Sequence, residues 1–396
     1  MATATSECKR LLDLHTDVLH RVLALLNCGV ALAHAEASCK TFGELVTPDL
    51  WRDAVLQNWG WLLRTEKTHR WKKLFAQLHT GNGVSFCIIG SCEMPEGGFD
   101  RQSVSAAFSF SPCSARWDRL PAPSEVREMA AVVRDSTGAL MVMGGTSPTV
   151  DHLGNTAFRT LSSVESFANG SWSLQAPMLA QRCCCSAAID ASGKVYVVGG
   201  GESMFRGAAC MSSVECLLSP TEQWVEAPHM IQPRCALGVA ISHECNRLFA
   251  FGGYSGAQNY LDSCETIDLS GGTNAQWRLL PPMTCRRAGC NAAAGPDGRI
   301  YVLGGGPDGR MQWNTMEALD PRTNEWDASI ASLRCGRHYN AAAFAPDGKL
   351  YVSGAFRHPA QLDVVERYDP RADRWEDVNE IGTVVKFSGG AFIFEL

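Results

Sequence analysis

Asp297-Gly-Arg-Ile300-Tyr-Val-Leu-Gly304-Gly305 reads as a hairpin turn, a β-rich run and a pair of glycines. Asp-Gly suits such a turn because glycine takes a positive φ without steric cost. The glycine pair lets the chain leave an inner strand where neighbouring backbones crowd. The run recurs as Leu140-Met-Val-Met-Gly144-Gly145, Val195-Tyr-Val-Val-Gly199-Gly200 and Leu248-Phe-Ala-Phe-Gly252-Gly253. Two degenerate copies flank these, Phe86-Cys-Ile-Ile-Gly90-Ser91 and Leu350-Tyr-Val-Ser-Gly354-Ala355. The second small residue falls at 91, 145, 200, 253, 305 and 355, a step of 50 to 55 residues.

Three further features keep the same phase. A tryptophan follows each copy, at 117, 172, 224, 277, 326 and 375. Between the glycines and the tryptophan lies a strand-like element ending in glutamate: Val164-Glu165, Val214-Glu215, Cys264-Glu265, Met316-Glu317 and Val365-Glu366. It leads into Asp320-Pro321, Asp369-Pro370 or Ser219-Pro220 turns. An arginine opens a run of small residues before the next copy, at Arg127, Arg182, Arg234, Arg287 and Arg337. Each unit thus offers four short strands. Four strands at a period near 50 resemble the kelch repeat, whose units form the blades of a β-propeller. The resemblance covers about the last four-fifths of the chain.

Closure of the ring is also expected. Lys386-Phe-Ser-Gly-Gly-Ala-Phe-Ile-Phe-Glu-Leu396 matches the arginine-led strand, with Lys386 in the arginine position. The first repeat, beginning near Gly83, lacks that strand. The C-terminal strand therefore completes the N-terminal blade and removes the exposed sheet edges. The expected fold is mainly β: a six-bladed kelch β-propeller over residues 81–396.

Residues 1–80 have another texture. Leu14, Val18, Leu19, Val22, Leu23 and Leu26 recur at helical spacing on one face. The segment Leu14-His-Thr-Asp-Val-Leu-His-Arg-Val-Leu-Ala-Leu-Leu26, with Cys39-Lys-Thr-Phe42, Leu45 and Leu50-Trp51, resembles an F-box. It departs at His15, where that family usually has proline, and at Phe42, where tryptophan is commoner. The resemblance implies a small all-α module that docks a Skp-family linker, itself joined to a cullin scaffold. The six residues of the stripe would then be the linker interface. The other reading packs that stripe on its neighbouring helices.

Composition narrows the functions. The net charge is -6, so the basic footprint of a nucleic-acid binder is missing. No run of about 18 apolar residues could span a bilayer. The first ten residues are polar and carry no secretory leader pattern, which makes the cytosol or nucleus the expected location. The 17 cysteines include no C-x-x-C pair and no zinc-finger spacing, so no metal site is expected. Cys183-Cys184-Cys185 reads as strand packing, with redox sensing or metal binding as the other reading. No Walker loop, dinucleotide fingerprint, zincin motif or nucleophile elbow is present. His338-Tyr339 is the one pair suggestive of a copper oxidase. No catalytic residue and no cofactor is expected.

Candidate recognition residues fall in two groups. Arg127, Arg182, Arg234, Arg287, Arg337 and Lys386 share one phase, which puts them at one radius near the channel mouth. Six cations there would draw an acidic segment of a protein substrate. Their other reading is structural, with the phased glutamates as ion partners. The second group lies in loops unique to one repeat: Thr146 to Ser162, Met204-Phe205-Arg206, Tyr254 and Tyr260, and Met311-Gln312-Trp313. Trp313 stands outside the phased tryptophans and is the strongest hot-spot candidate. Three functions follow: a substrate receptor of a cullin-type ubiquitin ligase, a kelch scaffold without a ligase link, and a propeller enzyme.

Overall fold

The computed structural model describes residues 84–93, 103–112, 114, 116–150, 156–203, 209–219, 222–256, 259–308, 311–354, 364–380 and 386–394. The F-box-like stripe lies outside these residues. The described residues form six four-stranded antiparallel sheets and one extra hairpin. Blade 3 shows the pattern: Ser186–Ile189, Val195–Val198, Val214–Leu217 and Trp224–Ala227 pair in chain order. Blades 2, 4, 5 and 6 repeat it.

Blade 1 is assembled from both ends of the propeller. Lys386–Phe394 pairs antiparallel with Val84–Glu93, aligning Val84 with Phe394 and Ile88 with Gly390. The first strand of each blade packs against the first strands of its two neighbours, and Lys386–Phe394 fills that place between blades 6 and 2. The circuit of inner strands is therefore closed, as the phase of Lys386 requires.

Burial explains the sequence texture. The second strands Leu140–Met143, Val195–Val198 and Leu350–Ser353 are buried at every position, because an adjacent blade covers each face. Such strands read as unbroken apolar runs rather than alternations. The core is divided among the blade interfaces. Tyr196, Val198 and Cys216 of blade 3, for example, pack on Val239, Leu248 and Ile267 of blade 4. The outermost strands are largely exposed, and their tryptophans pin each blade to the linker that enters it. The indoles of Trp172, Trp224, Trp277, Trp326 and Trp375 donate to the carbonyls of Pro121, Ala176, Pro228, Pro281 and Ala331 at 2.7–3.0 Å. Trp117 departs from this: its indole nitrogen is buried without such an acceptor, and its ring packs on Phe108 and Phe110.

Glycine is required at the pair. Gly252 and Gly253 have φ of 59° and 93°, in the region L side chains avoid. A methyl on Gly252 would run into the Arg287 carbonyl of the next blade, and one on Gly253 would lie 2.7 Å from the Cys235 carbonyl of its own. The pair is where two blades touch through bare backbone.

Candidate protein-recognition face

Four strands per blade return the chain to the end from which it started. All inter-blade linkers and all loops after the glycine pairs therefore share one face of the ring. The short hairpins at Gly138, Gly193, Gly298 and Gly348 fall on the other. The long connections, with their variable chemistry, are thus concentrated on the arginine-bearing face, and loops on a rigid scaffold are where recognition usually sits.

The phased arginines lie beneath that face, not on it. Arg127, Arg182, Arg234, Arg287 and Arg337 are at most 1% exposed. Arg234 shows why. Its Nε and Nη2 donate to Glu265 Oε1 at 3.0 and 2.9 Å, and Nη1 donates to the carbonyls of Gly252 and Ser263 at 2.7 and 2.8 Å. Nη2 also reaches Ser263 Oγ at 2.9 Å, so all five N–H donors are occupied. The Glu265 carboxylate in turn accepts the backbone N–H groups of Ile231 and Gln232 at 2.6 and 3.1 Å. The same pairing joins Arg127 to Glu165, Arg182 to Glu215, Arg287 to Glu317 and Arg337 to Glu366 at 2.5–3.0 Å.

The expectation that these five cations form a substrate-attracting ring therefore gives way to the structural reading. Each charge is neutralised within its own blade, and each guanidinium welds linker, glycine pair and third strand together. Lys386 opens the inner strand of blade 1; its side chain lies outside the described residues. Each arginine sits in the linker. In blade 5 Arg287 directly precedes its strand, and elsewhere three residues separate them.

The Glu165 carboxyl illustrates the electrostatics. Burial pushes its pKa up, but hydrogen bonds from Ser124 and Arg127 outweigh burial and hold it below the ordinary glutamate value. A carboxyl depressed on folding stabilises the fold above its unfolded pKa and loses that contribution as pH falls through the lower folded value. Unfolding midpoints measured against pH are accordingly expected to fall from the ordinary glutamate range, about 4.3, downwards. Glu165→Gln should flatten that part of the profile.

Two features of this face escaped the sequence reading. The first is a belt of left-handed residues two places after each arginine: Met129, Cys184, Ala236, Gly289 and Tyr339, with φ of 52° to 69°. Their amides link successive blades. Cys184 N–H donates to Met129, Ala236 to Cys184, Gly289 to Ala236 and Tyr339 to Gly289, at 2.7–3.0 Å. The belt lines a cavity of about 130 Å³ at the channel. Only Gly289 advertises its conformation by residue type.

The second feature is the residue three places before each arginine. The amides of Ser124, Leu179, Ile231, Thr284 and Arg334 are locked onto the five glutamates at 2.6–2.8 Å, while their side chains are exposed. A fixed backbone thus presents five chemically different side chains in a ring, with Leu179 and Ile231 as exposed apolar groups on adjacent blades. The signal was present in the phase but hidden by the variety of residues.

The loop candidates are placed as follows. Thr146 to Ser162, expected as a polar loop, contains a hairpin pairing Thr146–Val150 with Thr156–Thr160. Tyr254 and Tyr260 meet at 5.2 Å between ring centroids, their planes tilted by 54°. Trp313 is half-buried. Its indole donates to the Arg286 carbonyl at 3.2 Å and its backbone bridges Gly305 and Arg337. Met311 beside it is exposed. Met204, Phe205 and Arg206 lie outside the described residues. His338 and Tyr339 meet edge to face, and no group of three or more His, Cys, Asp or Glu suited to a metal occurs among the described residues.

Comparison with known proteins agrees with this architecture. Mouse Kelch-like protein 23 is 25% identical over 231 residues, which are 57% of this chain and 38% of that protein. The Caenorhabditis elegans spermatocyte protein spe-26 is 36% identical over 131 residues, 31% of this chain and 22% of that one. The matched stretches thus span well under half the length of these curated relatives. The solved structure of YjhT shares the fold, with a TM-score of 0.57 at 16% identity over 69% of this chain and 91% of that one. A family model matches residues 184–390, just over half of the chain. The chain belongs to the family of that model, the KLHDC2/KLHL20/DRC7 Kelch-repeats domain.

Proposed function

We propose that this protein is a substrate receptor of a cullin-type ubiquitin ligase, acting in the cytosol or nucleus. Residues 1–80 form the F-box-like module that docks a Skp-family linker, and residues 81–396 form the propeller that holds a protein substrate. The mechanism is proximity. Holding the substrate beside the charged conjugating enzyme raises the effective concentration of its lysines, and this chain makes no bond itself. The observation that carries the reading is the order of elements: an F-box-like motif precedes a kelch ring whose variable side chains are gathered on one face.

The test is a pull-down of the purified protein with a Skp-family linker. Wild type is expected to bind, and a Leu19→Glu, Leu23→Glu double variant is expected to lose binding. Failure of well-folded wild type to bind sinks the ligase link and leaves a kelch interaction scaffold. Substrate contact is assigned to the exposed linker positions and to Trp313. Trp313→Ala should weaken binding of a captured substrate by about 2 kcal/mol, read as a rise in Kd by titration. The substitution removes one side-chain hydrogen bond, to the carbonyl of exposed Arg286, and keeps the backbone bonds to Gly305 and Arg337, so the melting temperature should barely move. A large loss of stability with unchanged Kd would make Trp313 a loop-packing residue instead.

A further inference from the structure

Two cysteines meet where the loop of the third blade faces the linker to the fourth. Cys210 lies after the glycine pair of blade 3, and Cys235 lies in the linker to blade 4, one place after Arg234. Their sulfurs are 3.2 Å apart, although the residues are 25 positions apart in sequence. Both are held by main-chain bridges, Cys210 against Gly201 and Cys235 against Tyr254. From this juxtaposition we infer that Cys210 and Cys235 form a peroxide-responsive dithiol that closes to a disulfide across the blade 3–blade 4 boundary.

Geometry and access single out this pair. A disulfide needs sulfurs about 2.05 Å apart, so the two must close by only about 1.2 Å. Neither residue is fully buried, whereas Cys183, Cys184 and Cys185 nearby are. Cys184 is also occupied, its sulfur lying 3.0 Å from Met129 Sδ, and burial pushes the Cys185 thiol up to about 12. Contact with Cys235 lowers the Cys210 pKa and outweighs the opposing effect of burial, while the same contact raises that of Cys235. Thiolate character therefore concentrates on Cys210, the form that attacks oxidants.

The chemistry balances with a hydroperoxide as oxidant. The Cys210 thiolate attacks the terminal oxygen, the O–O bond breaks, and the departing oxygen leaves as an alcohol or water after taking a proton. Cys210 is then a sulfenic acid. The Cys235 sulfur attacks the Cys210 sulfur, the S–S bond forms, and the hydroxyl leaves as water with the Cys235 proton. Two thiols and one hydroperoxide thus give one disulfide, one alcohol or water, and one water. The bridge would tie the loop of blade 3 to the linker that presents Ile231, so it acts on the recognition face, but its formation does not depend on the ligase reading.

The test uses the full chain, reduced and then exposed to hydrogen peroxide, with free thiols capped by alkylation before digestion and mass spectrometry. The expected product is a peptide pair joined through Cys210 and Cys235 and released by dithiothreitol. It should appear at least about tenfold faster than alkylation is lost at half-buried Cys245 and Cys285, given the pre-set sulfur contact. In Cys235→Ser the bridge is expected to vanish and Cys210 to proceed to sulfinic acid. Should that variant fail to fold, the wild-type peptide pair and its rate remain decisive. Cys210 and Cys235 that stay alkylatable while Cys245 and Cys285 oxidise, or Cys210 that stops at an unbridged acid in wild type, would overturn the inference.

Discussion

Glu265→Ala is expected to destabilise the propeller by about 3–5 kcal/mol, the usual cost of stripping one partner from a buried ion pair. Both side chains are fully buried, so Arg234 would keep its charge in a water-excluded site with no counter-ion. The loss is compounded by the amides of Ile231 and Gln232, which give up their acceptor. Urea unfolding followed by tryptophan fluorescence reads the effect as a lower midpoint. The double variant Arg234→Met, Glu265→Leu should recover a substantial part of it, because apolar groups of similar volume carry no unpaired charge. If Glu265→Ala instead kept its midpoint and lost only substrate binding, the arginine would have to be reassigned to recognition.

That experiment addresses the one place where phase and role diverge. The period, the glycine pairs, the tryptophans and the closing strand were all legible, because each is imposed by residue type: glycine for positive φ, tryptophan for a large anchor with one donor. The role of the arginines was legible only as one of two readings, because the phased glutamates offered ion partners but the sequence shows Glu265 only as a residue 31 positions away. Whether two such groups meet depends on how the third strand stacks beside the linker. The serine or threonine two places before the glutamate, Ser163, Ser213, Ser263 or Thr315, was a usable clue, since each hydroxyl accepts from Nη2 of its arginine. Two oxygen acceptors in the same phase as a guanidinium describe a satisfied site rather than a vacant one.

The recognition positions were hidden for the opposite reason. Ser124, Leu179, Ile231, Thr284 and Arg334 have nothing in common as side chains, and only their amides do the same task. The belt residues Met129, Cys184, Ala236 and Tyr339 hide in the same way, because a left-handed backbone can be imposed by inter-blade hydrogen bonds on residues that do not favour it. A ring can therefore be strict in backbone and free in side chain at the same position, which lets one scaffold present many surfaces. The contact between Cys210 and Cys235 is a product of that freedom, arising where a loop and a linker happen to place thiols at one boundary.

Removing residues 386–396 should have the largest effect of any change. Lys386–Phe394 is the only described strand that covers the inner edge of Val84–Glu93, and it alone stands between the inner strands of blades 6 and 2 among the described residues. Without it, Phe86, Cys87, Ile88 and Ile89, all at most 2% exposed, would face solvent along an unpaired edge. Such an edge is a template for association with other chains. The truncated protein is expected to be recovered mainly as aggregate, with no cooperative thermal transition in any soluble fraction. A synthetic peptide of residues 386–396 present during refolding should restore soluble monomer, because the missing strand supplies its own hydrogen-bond register. A truncated chain that stays monomeric and melts with the wild type would mean that the inter-blade cores alone hold the ring, and that closure through blade 1 contributes little to its stability.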